Sequence, residues 1–339
     1  MLTVNSPEGG ILAAAMRNRH FLQLACSALL VLGLCRCGPR VDFGHWQMAA
    51  NNSGKLPWIS FYWQGDSVGK RWQSEYAMMV PAGIEGVSQR FCFQFDIGAD
   101  ISRFSYNAIR PYVQSYPAFA KHYSGARSVG DSIFYFKDLS ITLDSVGFSS
   151  PAIYIMKDYG DEPVAGIAKA SDTVRVGSIG ADICKGKVLI IDYPGKRLCI
   201  VDSVPKAYQA RFADISLDGS GRPVLSMEYG AKTYKVLFDC GSSMFPLLTK
   251  QRIVPAFSTA PVNDTVQVSA WGKMVEMLGR PMKDSFTLAD HNFGNIEVYT
   301  SREYTQENIP PACDAITGNS LFLDKVIVID FKNMKFGIL

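Results

Sequence analysis

The stretch that decides the fold is FCFQFDIGAD, which runs from Phe91 to Asp100. An apolar strand ends in an aspartate, Asp96, and the chain then turns at Gly98. A buried carboxylate is costly unless it is paired, hydrogen-bonded or used in chemistry. We therefore look for a partner to Asp96 elsewhere in the chain.

The same pattern returns in the second half as YKVLFDCGSSMFPLL, from Tyr234 to Leu248. Each copy is an apolar strand followed by Asp-x-Gly and a small residue. Aligning the copies matches three pairs of residues, namely Asp96 with Asp239, Gly98 with Gly241, and Ala99 with Ser242. The chain thus contains two aspartates in the same local setting.

The flanking segments repeat as well. A hairpin pattern with a glycine turn precedes each aspartate, at Gly86 and at Gly230. Further on, GADICKGKVLIID from Gly180 aligns without a gap with GNSLFLDKVIVID from Gly318. Repeats in the same order indicate an internal duplication. We predict an all-β fold of two β-barrel-like lobes with a few short helices.

The domain boundaries follow from this repeat and from the leader. Residues 1–48 are interpreted as a signal segment and linker, residues 49–204 as the N-terminal lobe, and residues 205–339 as the C-terminal lobe. The leader has basic residues before an apolar run from Phe21 to Cys35, which is typical of a secretory signal. We expect an exported protein: periplasmic, an outer-membrane lipoprotein lipidated at Cys35 or Cys37, or extracellular. An uncleaved membrane anchor is the alternative.

Composition narrows the classes of partner. The chain has 339 residues, a formal charge of +3, 47% apolar and 19% charged residues, which is typical of a packed globular protein. Basic residues are scattered, so nucleic acid is not an expected partner. The cysteines after the leader form no CxxC pair, and the histidines show no ligand spacing. We predict neither metal nor cofactor, and a monomer.

Two neighbouring aspartates would have a defined chemistry. Carboxylates in contact cannot both ionise cheaply, so the pair would share one proton. The ionised member can then accept a proton from water while the protonated member donates to a substrate carbonyl. This is hydrolysis of an amide by general acid–base catalysis, without a covalent intermediate.

At these residues the chain resembles the bilobal, pepsin-like aspartic proteases, and FDIGAD is also similar to the retroviral-type enzymes. The resemblance covers residues 76–339 and implies an aspartic endopeptidase, a hydrolase with Asp96 and Asp239 as catalytic residues and a peptide held in the interlobe cleft. The supporting loop residues would be Ile97, Gly98, Ala99, Cys240, Gly241 and Ser242, with Gly180 and Gly318 packed behind them. A flap hairpin would lie near Gly125 to Phe136, with its turn at Gly130.

The chain departs from the family at the residue after each aspartate. The family has Thr or Ser there, whose hydroxyls link the two loops, whereas this chain has Ile97 and Cys240. An isoleucine side chain forms no hydrogen bond and a thiol forms weak ones. Two alternatives therefore stay open: a non-catalytic pepsin-like fold that binds peptide or glycan at the cell surface, and a purely structural surface lipoprotein.

Overall fold

β-Strands dominate the computed structural model, as the period-2 patterns and glycine turns of the sequence predict. The structure describes residues 41–339 except 52, 70, 129–130, 158, 161–165, 170 and 271–272. The leader, with Cys35 and Cys37, and the turn residue Gly130 lie outside the described residues. Among the described residues, no helix combines the length and apolar character needed to cross a membrane.

The strands of the first half, in chain order, are β1 (Gln47–Met48), β2 (Ile59–Ser60), β3 (Tyr62–Val68), β4 (Arg71–Ile84), β5 (Val87–Phe95), β6 (Arg103–Ser105), β7 (Tyr123–Ser128), β8 (Asp131–Leu143), β9 (Val146–Met156), β10 (Thr173–Ile179), β11 (Val188–Asp192) and β12 (Arg197–Val201).

Those of the second half are β13 (Phe212–Asp214), β14 (Ser216–Leu217), β15 (Pro223–Tyr229), β16 (Lys232–Phe238), β17 (Leu247–Thr249), β18 (Asp264–Ala270), β19 (Lys273–Pro281), β20 (Phe286–Leu288), β21 (His291–Phe293), β22 (Glu297–Thr300), β23 (Ala315–Thr317), β24 (Val326–Asp330) and β25 (Lys335–Ile338).

Helices are short. The α-helices are α1 (Tyr106–Ser115), α2 (Pro117–Ala120), α3 (Val254–Phe257) and α4 (Tyr304–Asn308), and 3-10 turns span Ala181–Cys184, Lys206–Tyr208 and Asn319–Leu321. Helix α1 follows the first Asp-x-Gly segment and buries Ala108, Ile109 and Tyr112.

Three sheets organise the described residues. The first lobe is built on a sheet with the order β1-β9-β6-β10-β5-β4-β8-β7, in which β3 also pairs with β4. The second lobe has the order β18-β19-β22-β17-β23-β16-β15-β20-β21, with β14 beside β15. A third sheet, β13-β25-β24-β11-β12-β2, takes strands from both halves. The fold is therefore all-β and two-lobed, as predicted.

The third sheet shows how the duplicated halves are related. Strands β11 and β24 pair antiparallel with Ile190 opposite Val328, which hold the same position in the two copies. Reciprocal hydrogen bonds flank this pair: the Tyr193 N–H donates to the Lys325 carbonyl at 3.2 Å, and the Phe331 N–H to the Lys187 carbonyl at 2.9 Å. Equivalent residues that face each other in this way mark a local twofold relation.

The strands that lead to the aspartates are central in their lobes. Strand β5 lies between β4 and β10, with its three phenylalanines buried on one face of the sheet and Cys92 buried on the other. Strand β16 lies in the same way between β15 and β23. The hairpin turns before them use Gly86 and Gly230, with φ of 78° and 58°, a backbone region that glycine adopts without strain.

The boundary predicted at residue 48 differs from the structure locally. Strand β1 pairs with β9, and the Trp46 indole N–H donates to the Asp182 carboxylate at 2.9 Å. Residues 46–48 are thus packed on the first lobe, because a tryptophan that can bury its ring and satisfy its N–H contributes to a lobe core.

Candidate active site

Equivalent main-chain contacts hold the two aspartates at the ends of their strands. The Asp96 N–H donates to the Ile179 carbonyl at 2.9 Å, and the Asp239 N–H donates to the Thr317 carbonyl at 2.9 Å. In both cases the acceptor lies on the parallel strand beside the aspartate's own strand. We call residues 96–102 the first aspartate loop and residues 239–245 the second.

The glycine of each loop packs against the aspartate of the other. A Cβ placed on Gly98 would overlap the Asp239 carboxyl oxygens, and one placed on Gly241 would lie 2.5 Å from the Asp96 carboxyl carbon. Such distances do not occur between nonbonded atoms. Glycine is therefore required at both positions so that the carboxyl groups can approach across the junction.

The two carboxyl groups lie next to each other across the junction, and each perturbs the pKa of the other. Main-chain donors also reach each of them: the Ala99 N–H reaches Asp96 Oδ1 at 3.1 Å, and the Gly241 N–H reaches Asp239 Oδ1 at 2.8 Å. Both side chains keep an intermediate exposure, while the residues around them are largely buried. The pair predicted from the repeat is thus brought together in the structure.

Hydrogen bonds and charges, rather than burial, separate the behaviour of the two carboxyl groups. Desolvation raises the pKa of Asp96 above its usual value, and the interaction with Asp239, the Ala99 N–H and the Arg103 charge offset part of this rise. Desolvation, the Asp96 charge and the shared hydrogen bond raise the pKa of Asp239 to about 8, against the N–H groups of Gly241 and Ser242. Asp239 is therefore the member of the pair that retains the proton.

Cys240 links the two loops. Its sulfur accepts a hydrogen bond from the Ile97 N–H at 3.2 Å and donates one to the Phe95 carbonyl at 3.3 Å. Burial raises the pKa of the Cys240 thiol well above its usual value, so the proton needed for this donation is kept. The equivalent side chain, Ile97, is fully buried and packs in the apolar core instead. The side-chain link therefore runs in one direction.

Behind the loops lie the two predicted glycines. A Cβ on Gly180 would lie 2.6 Å from the main chain of Ile101, and one on Gly318 would overlap the Ser242 carbonyl oxygen. The Ala181 N–H also donates to the Ala99 carbonyl at 2.8 Å. Both loops are thus supported by backbone that approaches too closely for any side chain.

Polar residues that sequence reasoning missed complete this support. Ser102 donates to Asp182 at 2.6 Å and accepts from the Gly180 N–H at 3.0 Å. Behind the second loop, the Asn319 amide donates to the Cys240 carbonyl at 2.6 Å, and its oxygen accepts from the Tyr193 hydroxyl at 2.6 Å. A usable signal was present, because Asp182 and Asn319 are polar residues in apolar segments directly after the paired glycines.

Two further contacts cross the junction between the lobes. Arg222, which pairs with Asp218 at 2.6 Å, donates to the Gly98 carbonyl at 3.1 Å. Gln94, two positions before Asp96, directs its amide to the Gly241 carbonyl at 3.4 Å. Neither residue carries a sequence motif, so these contacts depend on the fold.

A cleft of about 410 Å³ opens over the pair. Its lining includes Asp96, Asp239, Arg103, Arg175, Tyr76 and Phe245. A larger surface cavity of about 540 Å³ is lined by strand-edge residues such as Glu85 and Thr142 and contains neither aspartate. We assign the functional site to the cleft, because its lining contains a pair of neighbouring carboxyl groups whose pKa values are raised.

The remaining sequence predictions concern the flap hairpin, the cysteines and metal ligands. Strands β7 and β8 form the hairpin expected for the flap, with Tyr123 opposite Phe136. The cysteines after the leader, Cys92, Cys184, Cys199, Cys240 and Cys313, are buried thiols. Within the described part of the chain, no cluster of three or more His, Cys, Asp or Glu side chains is placed to hold a metal ion.

Comparison with known proteins identifies no family for the chain. No family model matches the chain, and no curated protein matches it. Among solved structures, the chain is similar to an aspartic proteinase from Irpex lacteus, with 11% identity and a TM-score of 0.44 over 84% of this chain and 97% of that one.

Proposed function

We propose that the chain is an aspartic endopeptidase that hydrolyses peptide bonds with a water molecule activated by Asp96 and Asp239. The observation that carries this proposal is that both carboxyl groups line one cleft and lie next to each other, each packed against the glycine of the opposite loop. A fold alone does not specify a function. A carboxyl pair that holds one proton supports general acid–base chemistry directly.

The pKa directions assign a role to each member. Hydrogen bonds to Asp96 offset part of the rise in its pKa that burial causes. Asp96 is therefore the base that accepts a proton from water. Asp239, which keeps its proton, donates to the carbonyl oxygen of the substrate. The tetrahedral intermediate then collapses as the leaving nitrogen is protonated, and no covalent enzyme intermediate, metal or cofactor is required.

The substrate in this proposal is a peptide held in the cleft, and the protein acts as an exported monomer. Support for export is the basic and apolar leader, whose lipidation at Cys35 or Cys37 would attach the protein to a membrane. The second candidate function is binding of a peptide or glycan without turnover. Ile97 favours it, because the fully buried side chain supplies no hydrogen bond between the loops.

The test is the replacement of each carboxyl group by an amide. Asp96→Asn and Asp239→Asn should each abolish cleavage of a peptide library across the acidic to neutral range, because an amide can neither accept nor donate the shared proton. Asp324→Asn, at an exposed aspartate beside Lys325, is the matched control and should retain activity. Cleavage that survives both active-site changes contradicts the proposal, and absence of cleavage in the wild type with retained peptide binding supports the second candidate.

A further inference from the structure

The hairpin of β3 and β4 extends beyond the rest of the first lobe. Strand β4 pairs with β5 from Met79 onward, where Met79 lies opposite Gln94, close to the end of β5 at Phe95. The earlier residues of β4 pair with β3. The hairpin therefore continues past the point at which β5 ends and the first aspartate loop begins.

The far end of this hairpin is attached to the second lobe. Val68 is 4% exposed and packs in the apolar cluster that contains Val266 and Val268 of β18. Arg71 pairs with Asp264 at 2.5 Å, and Asp264 also accepts a hydrogen bond from the Tyr299 hydroxyl at 2.8 Å. An apolar side chain buried in the opposite lobe, beside an ion pair, indicates a fixed contact.

A third contact lies nearer to the cleft. Tyr76 of β4 packs against the same apolar cluster of the second lobe that contains Val266 and Val268. Strands from the two lobes thus meet along the hairpin, from its tip at Val68 back to Tyr76. We call the β3–β4 hairpin and strand β18 together the wall.

This wall borders the cleft above the aspartates. Gln64, Asp66, Tyr76 and Ala77 of the hairpin line the same cavity as Val268, Ser269 and Ala270 of β18. An extended peptide is about 3.3–3.6 Å long per residue. A peptide that is longer than the cleft must therefore leave it at both ends. Strands of both lobes line the cleft on the side where they meet.

We propose that the β3–β4 hairpin closes one end of the cleft, so that the site accepts a peptide by its amino terminus and cuts a short, fixed distance from it. The amino terminus is assigned by charge. Asp66 is the charged residue that the hairpin contributes to the cavity lining, it is exposed, and a carboxylate attracts an α-ammonium group. The nearby Arg175 is engaged by the Gln94 side-chain oxygen.

The inference deepens the proposed function and rests on it for turnover, whereas binding tests it separately. The probes are peptides of one core sequence whose central amide is replaced by a non-hydrolysable isostere. One carries a free amino terminus, one is N-acetylated, one is extended at its amino end, and one is extended at its carboxyl end. Binding to the full chain is measured by calorimetry.

We expect the carboxyl extension to leave affinity unchanged and the amino extension to abolish binding. N-acetylation should lower affinity about two- to fivefold, the range of an exposed ion pair. Equal binding of both extended peptides, or rejection of the carboxyl extension alone, overturns the inference. If the Asn variants show that the proposed function is wrong, these binding results still decide whether the cleft end is closed.

A second variant isolates the charge. Asp66→Asn, at an exposed side chain, should lower affinity for the free-amine peptide and leave affinity for the N-acetylated peptide unchanged. An equal loss for both peptides contradicts the assignment of Asp66. With a hydrolysable peptide, the wild type should release one uniform amino-terminal fragment, whereas products from internal sites along the chain would show that the end is open.

Discussion

The two aspartate loops have the same backbone and different side-chain support. Both are held by a main-chain bond to a parallel strand, and each glycine lies against the opposite carboxyl group. In the second loop, Cys240 bonds to the main chain of the first, but Ile97 returns no such bond. The comparison shows that backbone packing brings the two carboxyl groups together. A side-chain hydrogen bond from one loop to the other is needed from only one of the two loops.

The difference extends to the charges. Main-chain donors and the Arg103 charge favour the ionised form of Asp96, whereas Asp239 is opposed by the Asp96 charge. The two carboxyl groups therefore differ in pKa although the backbones of the two loops are nearly symmetric. In the proposed mechanism, this inequality would let Asp96 act as the base and Asp239 as the acid.

The largest expected effect is at the shared glycines. Gly98→Ala or Gly241→Ala should lower kcat/KM by on the order of a hundredfold or more, because the added methyl group displaces the opposite carboxyl group and a 1 Å misplacement can cost that much. Steady-state kinetics on one peptide measures this. Gly219→Ala is the control, since a Cβ there meets no atom within 4 Å. Near-normal activity in the loop variants would break the comparison.

The next effect concerns the thiol link. Cys240→Ala leaves the buried Ile97 N–H without its acceptor and should lower the free energy of unfolding by about 1–3 kcal/mol. Cys240→Ser should restore most of this loss, because a hydroxyl can make both bonds. Denaturant unfolding measures the change, with Cys199→Ala as control for a buried thiol that packs among apolar side chains. Equal losses in the two alanine variants would show that Cys240 only fills space.

The pH profile should reveal the inequality of the aspartates. Activity is expected to fall as pH rises through the raised pKa of Asp239, about 8, because the proton to be donated is lost. It should also fall as pH drops and Asp96 becomes protonated. Arg103→Gln removes a charge that lowers the Asp96 pKa, so it should move the acid limb to higher pH and leave the alkaline limb in place. A uniform shift of both limbs would contradict the assigned roles.

The smallest effect is expected when the missing half of the link is supplied. Ile97→Thr places a hydroxyl at the position equivalent to Cys240 and removes buried apolar volume. One added hydrogen bond contributes about 0.5–1.5 kcal/mol, similar to the cost of the lost packing, so the free energy of unfolding should change little. The kinetic readout sharpens the comparison: a higher kcat with unchanged stability would show that the one-sided link limits catalysis.

The sequence predicted the repeated elements well, because strand patterns and glycine turns are local properties. Gly86, Gly230 and the strands into Asp96 and Asp239 are where the repeat places them. The polar contacts of Ser102 with Asp182, of Arg222 with Gly98 and of Tyr193 with Asn319 were not predicted. Each joins residues far apart in the chain, and nothing in the local pattern identifies the partner.

By itself, the sequence determined an all-β duplicated chain with one aspartate at an equivalent strand end in each copy, since alternation, turns and repetition are read along the chain. Only the tertiary structure decided that the carboxyl groups lie next to each other, that the pKa of Asp239 is raised, that Cys240 bonds to the first loop while Ile97 returns no such bond, and that the β3–β4 hairpin reaches the second lobe. Distance, desolvation and burial are properties of packed atoms, and they arise when segments distant in sequence come together.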